Sequence, residues 1–184
     1  MAMTLEKLNA LKTIKEEYEK LKDKPIENTG TTVGLVDNDD IFLWKLTLTG
    51  PKDTSYAGGV FRVRIQFPDN YPKGSPEVYF KTPIYHLNIN PRKSDRKGAE
   101  KLGHVCINTI NHWVKTRKIR EVMIDIFSLF YKPNPDSPYG LGRADEFRDN
   151  RALYEEKIKY FVKKYADPDL PEKEYTTDWD FSFP

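Results

Sequence analysis

Cysteine is all but missing from this sequence: Cys106 is the only one among 184 residues, and only three histidines accompany it. A single cysteine excludes an internal disulfide and any multi-cysteine metal site, which leaves either an inert buried thiol or a nucleophile. The scattered histidines lack metal-ligand spacing. Neither sign of charge dominates, with 30 Lys and Arg against 28 Asp and Glu, so no global field argues for nucleic acid or an anionic membrane. No apolar run approaches the ~18 residues that a membrane span needs. The start, Met1-Ala-Met-Thr-Leu-Glu-Lys7, lacks the apolar stretch of a signal peptide. Together with the lone cysteine, this leads us to expect a reducing compartment, the cytoplasm or nucleus.

What is present reads as one domain, residues 4–166, followed by a tail, residues 167–184. Leu5, Leu8, Leu11, Ile14, Tyr18 and Leu21 recur at helical spacing, with Thr4 as the N-cap and Lys24-Pro25 as the stop. Thr31–Val36, Ile41–Thr49, Val60–Phe67 and Val78–Phe80 read as successive strands, a sequential order that favours an antiparallel meander over βαβ units. Pro83 to about Lys118 is largely irregular, and a stretch of that length inside a compact domain is usually functional. Helical spacing returns over Arg120–Lys132 and again over about Ala144–Tyr165. The tail holds six acids, one lysine and four aromatics (Tyr175, Trp179, Phe181, Phe183). That composition suits a segment that is disordered alone or lays its aromatics on a surface; docking, on this chain or on a partner, is the expectation.

Several motifs follow in a fixed order: Gly50-Pro51, Tyr56-Ala-Gly-Gly-Val-Phe61, Phe67-Pro68, Tyr71-Pro72, Tyr85-His86-x-Asn88-Ile-Asn90, Val105-Cys106-Ile107, Trp113 and Pro133-Asn-Pro-Asp136. Each is weak alone. In register, they resemble the catalytic domain of ubiquitin-conjugating enzymes over about residues 8–166. The resemblance implies an α+β fold (an α/β roll): an N-terminal helix, a four-stranded antiparallel meander, then C-terminal helices. It implies that Cys106 accepts ubiquitin or a ubiquitin-like protein as a thioester from an activating enzyme and passes it to a substrate lysine or a ligase cysteine. No cofactor and no metal are implied, and a monomer is expected.

The resemblance also assigns roles. Asn88 matches the Asn of the family's His-Pro-Asn motif, where an uncharged amide donor suits a tetrahedral oxyanion; its alternative role is to brace the active-site loop. His86 matches the motif's histidine, mainly structural in the family. Ser137 and Asp136 fall where an aspartate often orients the acceptor lysine. Lys12 and Lys15 face the activating enzyme, Lys73, Val114 and Lys115 occupy the ligase surface, and Ile124 and Ser128 lie where the donor modifier packs. His104 and His112 match no catalytic position and read as loop residues.

Departures are as telling. Leu87 replaces the motif's proline, which restores a backbone N–H and frees φ, so something else has to hold the turn. Asn108 and Ser137 replace aspartates, and Thr13 and Glu16 stand at usually basic places on the first helix. Lys73 and Val114-Lys115-Thr116 replace an apolar residue and a Ser-Pro-Ala, so ligase docking of the usual kind is in question. Phosphorylation of Ser137 would restore negative charge. An insertion of about ten residues precedes the cysteine: residues 91–102 carry five bases against two acids, a net of +3. It reads as a solvated loop or as a basic flap that meets an acidic substrate, ligase or the chain's own acidic tail. A non-catalytic ubiquitin-binding scaffold of the same fold is the alternative reading of the whole, and a cysteine hydrolase a remoter one, since no His and Asn/Asp pair stands in a hydrolase signature.

Overall fold

The computed structural model describes residues 3–93 and 101–184. Helix α1 (Leu5–Asp23) starts at Thr4, whose side chain accepts a hydrogen bond from the Lys7 N–H, one of the donors that a helix start leaves unpaired. It buries only part of the stripe that spacing suggests, Ile14 and Leu21, and adds two residues outside it. Ala10, Ile14, Glu17 and Leu21 are buried, whereas Leu5 and Leu8 stay 75% and 47% exposed.

Four strands follow, β1 (Thr32–Leu35), β2 (Leu43–Thr49), β3 (Val60–Gln66) and β4 (Glu77–Phe80). They form one antiparallel sheet in sequence order, β1-β2-β3-β4. Period-two patterning puts Trp44, Leu46 and Leu48 opposite Ile65, Val63 and Phe61 on the buried face, and these cross-strand pairs fix the register. Tyr18 of α1 packs edge-on against Trp44, ring centroids 5.2 Å apart.

The expected irregular region is organised around the sheet's last strand. Gly103 and Val105 continue the pairing, with the Phe80 N–H donating to the Gly103 carbonyl at 2.8 Å and the Val105 N–H to the Val78 carbonyl at 3.1 Å. On its other side, this segment pairs with residues 88–90 through an Ile89–Val105 bridge. The Gly103 N–H donates to the Asn90 carbonyl at 2.7 Å, so Asn90 and Gly103 close the neck from which the insertion leaves. Gly103 is required there: its φ is +78°, and a Cβ would lie 2.0 Å from the Phe80 carbonyl oxygen. The middle of the basic insertion, residues 94–100, lies outside the described residues.

Beyond the cysteine come α2 (Asn108–Asn111), a single turn that periodicity did not predict, and α3 (Ile119–Ser128). The last helical region is two helices, α4 (Leu141–Asp149) and α5 (Arg151–Phe161), with a π-helical turn over Val162–Ala166. Asn150 makes the break, ending α4 and capping α5 through its side chain, which accepts from the Leu153 N–H.

One buried carboxylate ties three of these pieces together. Glu17 of α1 accepts from the Tyr71 hydroxyl at 3.0 Å and from the Ile119 N–H at 2.8 Å. Its charge sits at the start of α3, where a helix favours an anion. Burial and the neighbouring Glu17 push the Tyr71 hydroxyl well above the usual phenol range.

The tail docks on this chain. Trp179 is buried, and Phe181 and Phe183 pack on the core. The Trp179 N–H donates to the Pro91 carbonyl at 2.9 Å. Asp178 pairs with Arg92 at 3.0 Å and accepts from the Lys93 N–H at 2.6 Å. Glu172 meets Arg62 at 3.6 Å, Glu174 meets Lys81 at 3.2 Å, and Asp180 meets Lys164 at 3.0 Å. The acidic tail thus meets Arg92 and Lys93 at the foot of the basic insertion.

Candidate active site

The loop Tyr85–Asn90 is held from behind by buried polar contacts. His86 is buried; its Nδ1 accepts from the Asn88 N–H at 3.0 Å, and its Nε2 lies 3.0 Å from the Leu129 carbonyl. This network places the ring proton on Nε2. Burial holds the ring neutral, its pKa pushed down to about 4. Both ring nitrogens of this neutral imidazole are thus engaged inside the protein. The N–H that Leu87 restores donates to the Tyr154 hydroxyl at 3.2 Å, and its carbonyl accepts from Tyr139. Tyr154, on α5, therefore does the holding that a proline ring would otherwise do; burial raises its own pKa to about 12.

Asn88 is wholly buried. Its Nδ2 donates to the carbonyls of Asn134 at 2.7 Å and Ser137 at 2.9 Å, and its Oδ1 accepts from the Asn134 N–H at 2.7 Å. Both amide hydrogens are spent on the 134–137 loop. In this arrangement an oxyanion would find neither hydrogen free.

Cys106 sits half-buried at the edge of this arrangement, its N–H donating to the Asn88 carbonyl at 3.0 Å. Its Sγ lies 3.3 Å from the Ser137 Oγ and 3.2 Å from the Asn111 Nδ2. The thiol opens on a shallow groove of about 210 Å³ lined in part by Asp125, Ser128, Lys132, Asn134 and Ser137. Asp136 points elsewhere: its carboxylate is 89% exposed and lies 3.6 Å from Arg148. His104 engages the Tyr139 hydroxyl at 2.7 Å, and His112 is exposed. Among the described residues no group of three potential ligands could hold a metal ion, and no helix is long and apolar enough to cross a membrane.

A helix, a four-strand antiparallel meander, a neutral His and an Asn brace beneath a lone cysteine, and a short helical turn after it are thus in place. The family model for ubiquitin-conjugating enzymes matches residues 13–162. The chain belongs to that family. The match spans the sheet, the cysteine and both late helices, and the α+β fold is the one that the resemblance implied. Membership makes the chain a relative of transferases that work with ubiquitin, activating enzymes and ligases.

The expected partner-facing residues fall on separate surfaces. Lys12 and Lys15 are exposed along α1. Lys73 is exposed and pairs with Glu6 at 3.1 Å. Val114, 52% exposed, and Lys115 follow Trp113, whose Nε1–H donates to the Pro72 carbonyl at 2.8 Å. That bond brings the two stretches of the expected ligase surface together. Ile124 and Ser128 lie one turn apart on α3, both exposed, with Ser128 at the groove beside Cys106. Sequence reasoning missed Asn111, Tyr154 and Glu17. Asn111 reaches the sulfur only because one turn of α2 folds it back, and no motif marks that turn.

Proposed function

We propose that this chain is an active conjugating enzyme that carries ubiquitin or a ubiquitin-like protein as a thioester on Cys106. The observation that carries this reading is the placement of the sole thiol: accessible, at the head of a groove, with polar neighbours on both sides. In charging, the Cys106 thiolate attacks the carbonyl carbon of the activating enzyme's thioester. A new C–S bond forms, the old one breaks, and the activating enzyme's thiolate leaves. In discharge, a ligase thiolate or a neutral substrate amine attacks the same carbonyl, the Cys106 thiolate leaves, and the proton shed by the amine nitrogen goes to that thiolate or to water. The carbonyl arrives already activated, so no strong base beside Cys106 is required for the first step. For the amine, with a reference pKa of ~10.4, the site has to remove water and orient.

Within this reading Asn88 and His86 are positioning residues for the loops at 86–90 and 134–137. Ser137, rather than Asp136, is the loop residue beside the sulfur and orients the acceptor. Lys12 and Lys15 meet the activating enzyme, the Lys73, Val114 and Lys115 surface meets a ligase, and Ile124 with Ser128 supports the donor modifier. A free, reduced thiol fits the cytoplasm or nucleus.

The test is direct. Incubation with activating enzyme, ATP and modifier is expected to give an adduct that reductant removes, an adduct that survives reductant in Cys106→Ser, and none in Cys106→Ala. Absence of any adduct with ubiquitin and every ubiquitin-like protein, each with its own activating enzyme, overturns the reading.

A further inference from the structure

Removing Asn88 from the list of free donors leaves a question of chemistry: which N–H answers the negative charge that develops at this site? Both hydrogens of the Asn88 amide lie on the carbonyls of Asn134 and Ser137. The Ser137 hydroxyl has a single hydrogen and already touches the sulfur. Asn111 differs from both. Its Nδ2 donates to the Cys106 Sγ at 3.2 Å, its side chain is exposed, and its second hydrogen has no partner among the described residues. The backbone presents it well: the Asn111 N–H donates to the Ile107 carbonyl at 2.9 Å. This closes the turn that brings a side chain five positions on back over the cysteine.

We infer that Asn111 is a further catalytic residue, the side-chain donor that stabilises both the Cys106 thiolate and the oxyanion of the tetrahedral intermediates. The inference rests on the proposed thioester chemistry. When Sγ bonds to the incoming carbonyl carbon, the carbonyl π pair moves onto oxygen, and that O⁻ is one carbon removed from the sulfur. Sulfur and O⁻ share one carbon and lie close together, so a small turn of the exposed Asn111 side chain passes a hydrogen from one to the other as the charge moves. On collapse the pair returns to re-form C=O and the leaving thiolate departs. In discharge that thiolate is Cys106 itself, and the hydrogen on sulfur lowers the cost of its leaving.

Two variants separate a donor from a mere spacer. Asn111→Leu keeps the branched shape and removes both N–H groups; Asn111→Ala removes the side chain. Because Cys106 is the only cysteine, iodoacetamide reads its ionisation alone, with no activating enzyme present. Both variants are expected to shift the alkylation profile to higher pH and slow alkylation at pH 7 about three- to tenfold. Discharge of the thioester onto free lysine is expected to slow about 10- to 100-fold, below the ~10²–10³ measured when a donor is lost from a water-excluded oxyanion hole. If Asn111→Leu matches the wild type within twofold in both measurements, the inference is overturned. If the wild type alkylates as expected but never charges, the parent reading fails and takes the oxyanion role with it, while the alkylation profiles still decide the contact with the thiol.

Discussion

Two regions of this molecule are held in place by different physics. The ground beneath Cys106 is held by neutral hydrogen bonds among buried groups: His86 between Leu129 and Asn88, Leu87 on Tyr154, and Asn88 across the 134–137 loop. The tail is held by exposed ion pairs to Arg62, Lys81, Arg92 and Lys164, and by four aromatics. Buried neutral networks are unforgiving, because each lost partner strands a polar group away from water. Exposed ion pairs are worth ~0–1 kcal/mol each and are screened by salt. The site is therefore built to keep one geometry, and the tail to hold on with a strength that solution conditions adjust.

The sharpest way to break this contrast is Asn88→Ala. It leaves the Asn134 N–H and the Asn134 and Ser137 carbonyls without their partner, and is expected to cost about 3–4 kcal/mol of stability. Urea midpoints should fall by the same amount at low and high salt; a loss that shrinks with salt would contradict the neutral-network account. Acidification comes next. His86 has a folded pKa near 4, below its ordinary 6.5, so the folded state resists a proton that the unfolded chain accepts. Its contribution is complete above pH 6.5 and is lost as pH falls towards 4, about 3 kcal/mol in all at ~1.4 kcal/mol per unit. NMR of the His86 ring is expected to show no titration between pH 7 and 5. Asp178 moves in the same direction but lower on the pH scale: its hydrogen bond to Arg92 lowers its pKa, so the tail's hold is lost only as pH falls below the ordinary carboxylate range. Mild acid should thus weaken the active-site region before it frees the tail.

Trp179→Ala removes the tail's one buried indole, for about 2 kcal/mol. It should appear as faster amide exchange over residues 170–184 with little change in α1. Smallest is Asp178→Asn, below about 1 kcal/mol given the exposure of the pair. Its effect on tail exchange should vanish at high salt.

Much of the frame was legible because it rests on local periodicity. The four strands, the Thr4 cap and the stop at Lys24-Pro25 follow from alternation and cap chemistry that any window of sequence carries. The late helices were legible as helix but not as two, since the break depends on Asn150 changing roles between neighbours. In α1 the leucines misled: Leu5 and Leu8 face solvent, and Ala10 and Glu17 are buried instead. A buried glutamate is invisible to a hydrophobic pattern until its donors, 54 and 102 residues away, are known. The site divides in the same way. Cys106, Asn88 and His86 stand in recognisable motifs, but the fates of Asn88's amide hydrogens and the return of Asn111 are tertiary facts. So is the answer to Leu87, which came from Tyr154 at a separation of 67 residues.

Glu17 carries one more consequence, and it concerns counting rather than charge. Two hydrogen bonds end on it, from a phenol O–H and a backbone N–H, with the Lys118 ammonium 3.9 Å away, so the position uses both acceptor oxygens of one side chain. Glutamine offers one oxygen, which suits the Ile119 N–H, but its NH₂ meets the Tyr71 hydroxyl only if that phenol stops donating and turns its hydrogen elsewhere. Aspartate offers two oxygens on a stem one carbon shorter. Substitutions that a table of similar residues would allow at position 17 thereby disturb at least one of these bonds, and the start of α3, the Tyr71 loop and the first helix feel the same change.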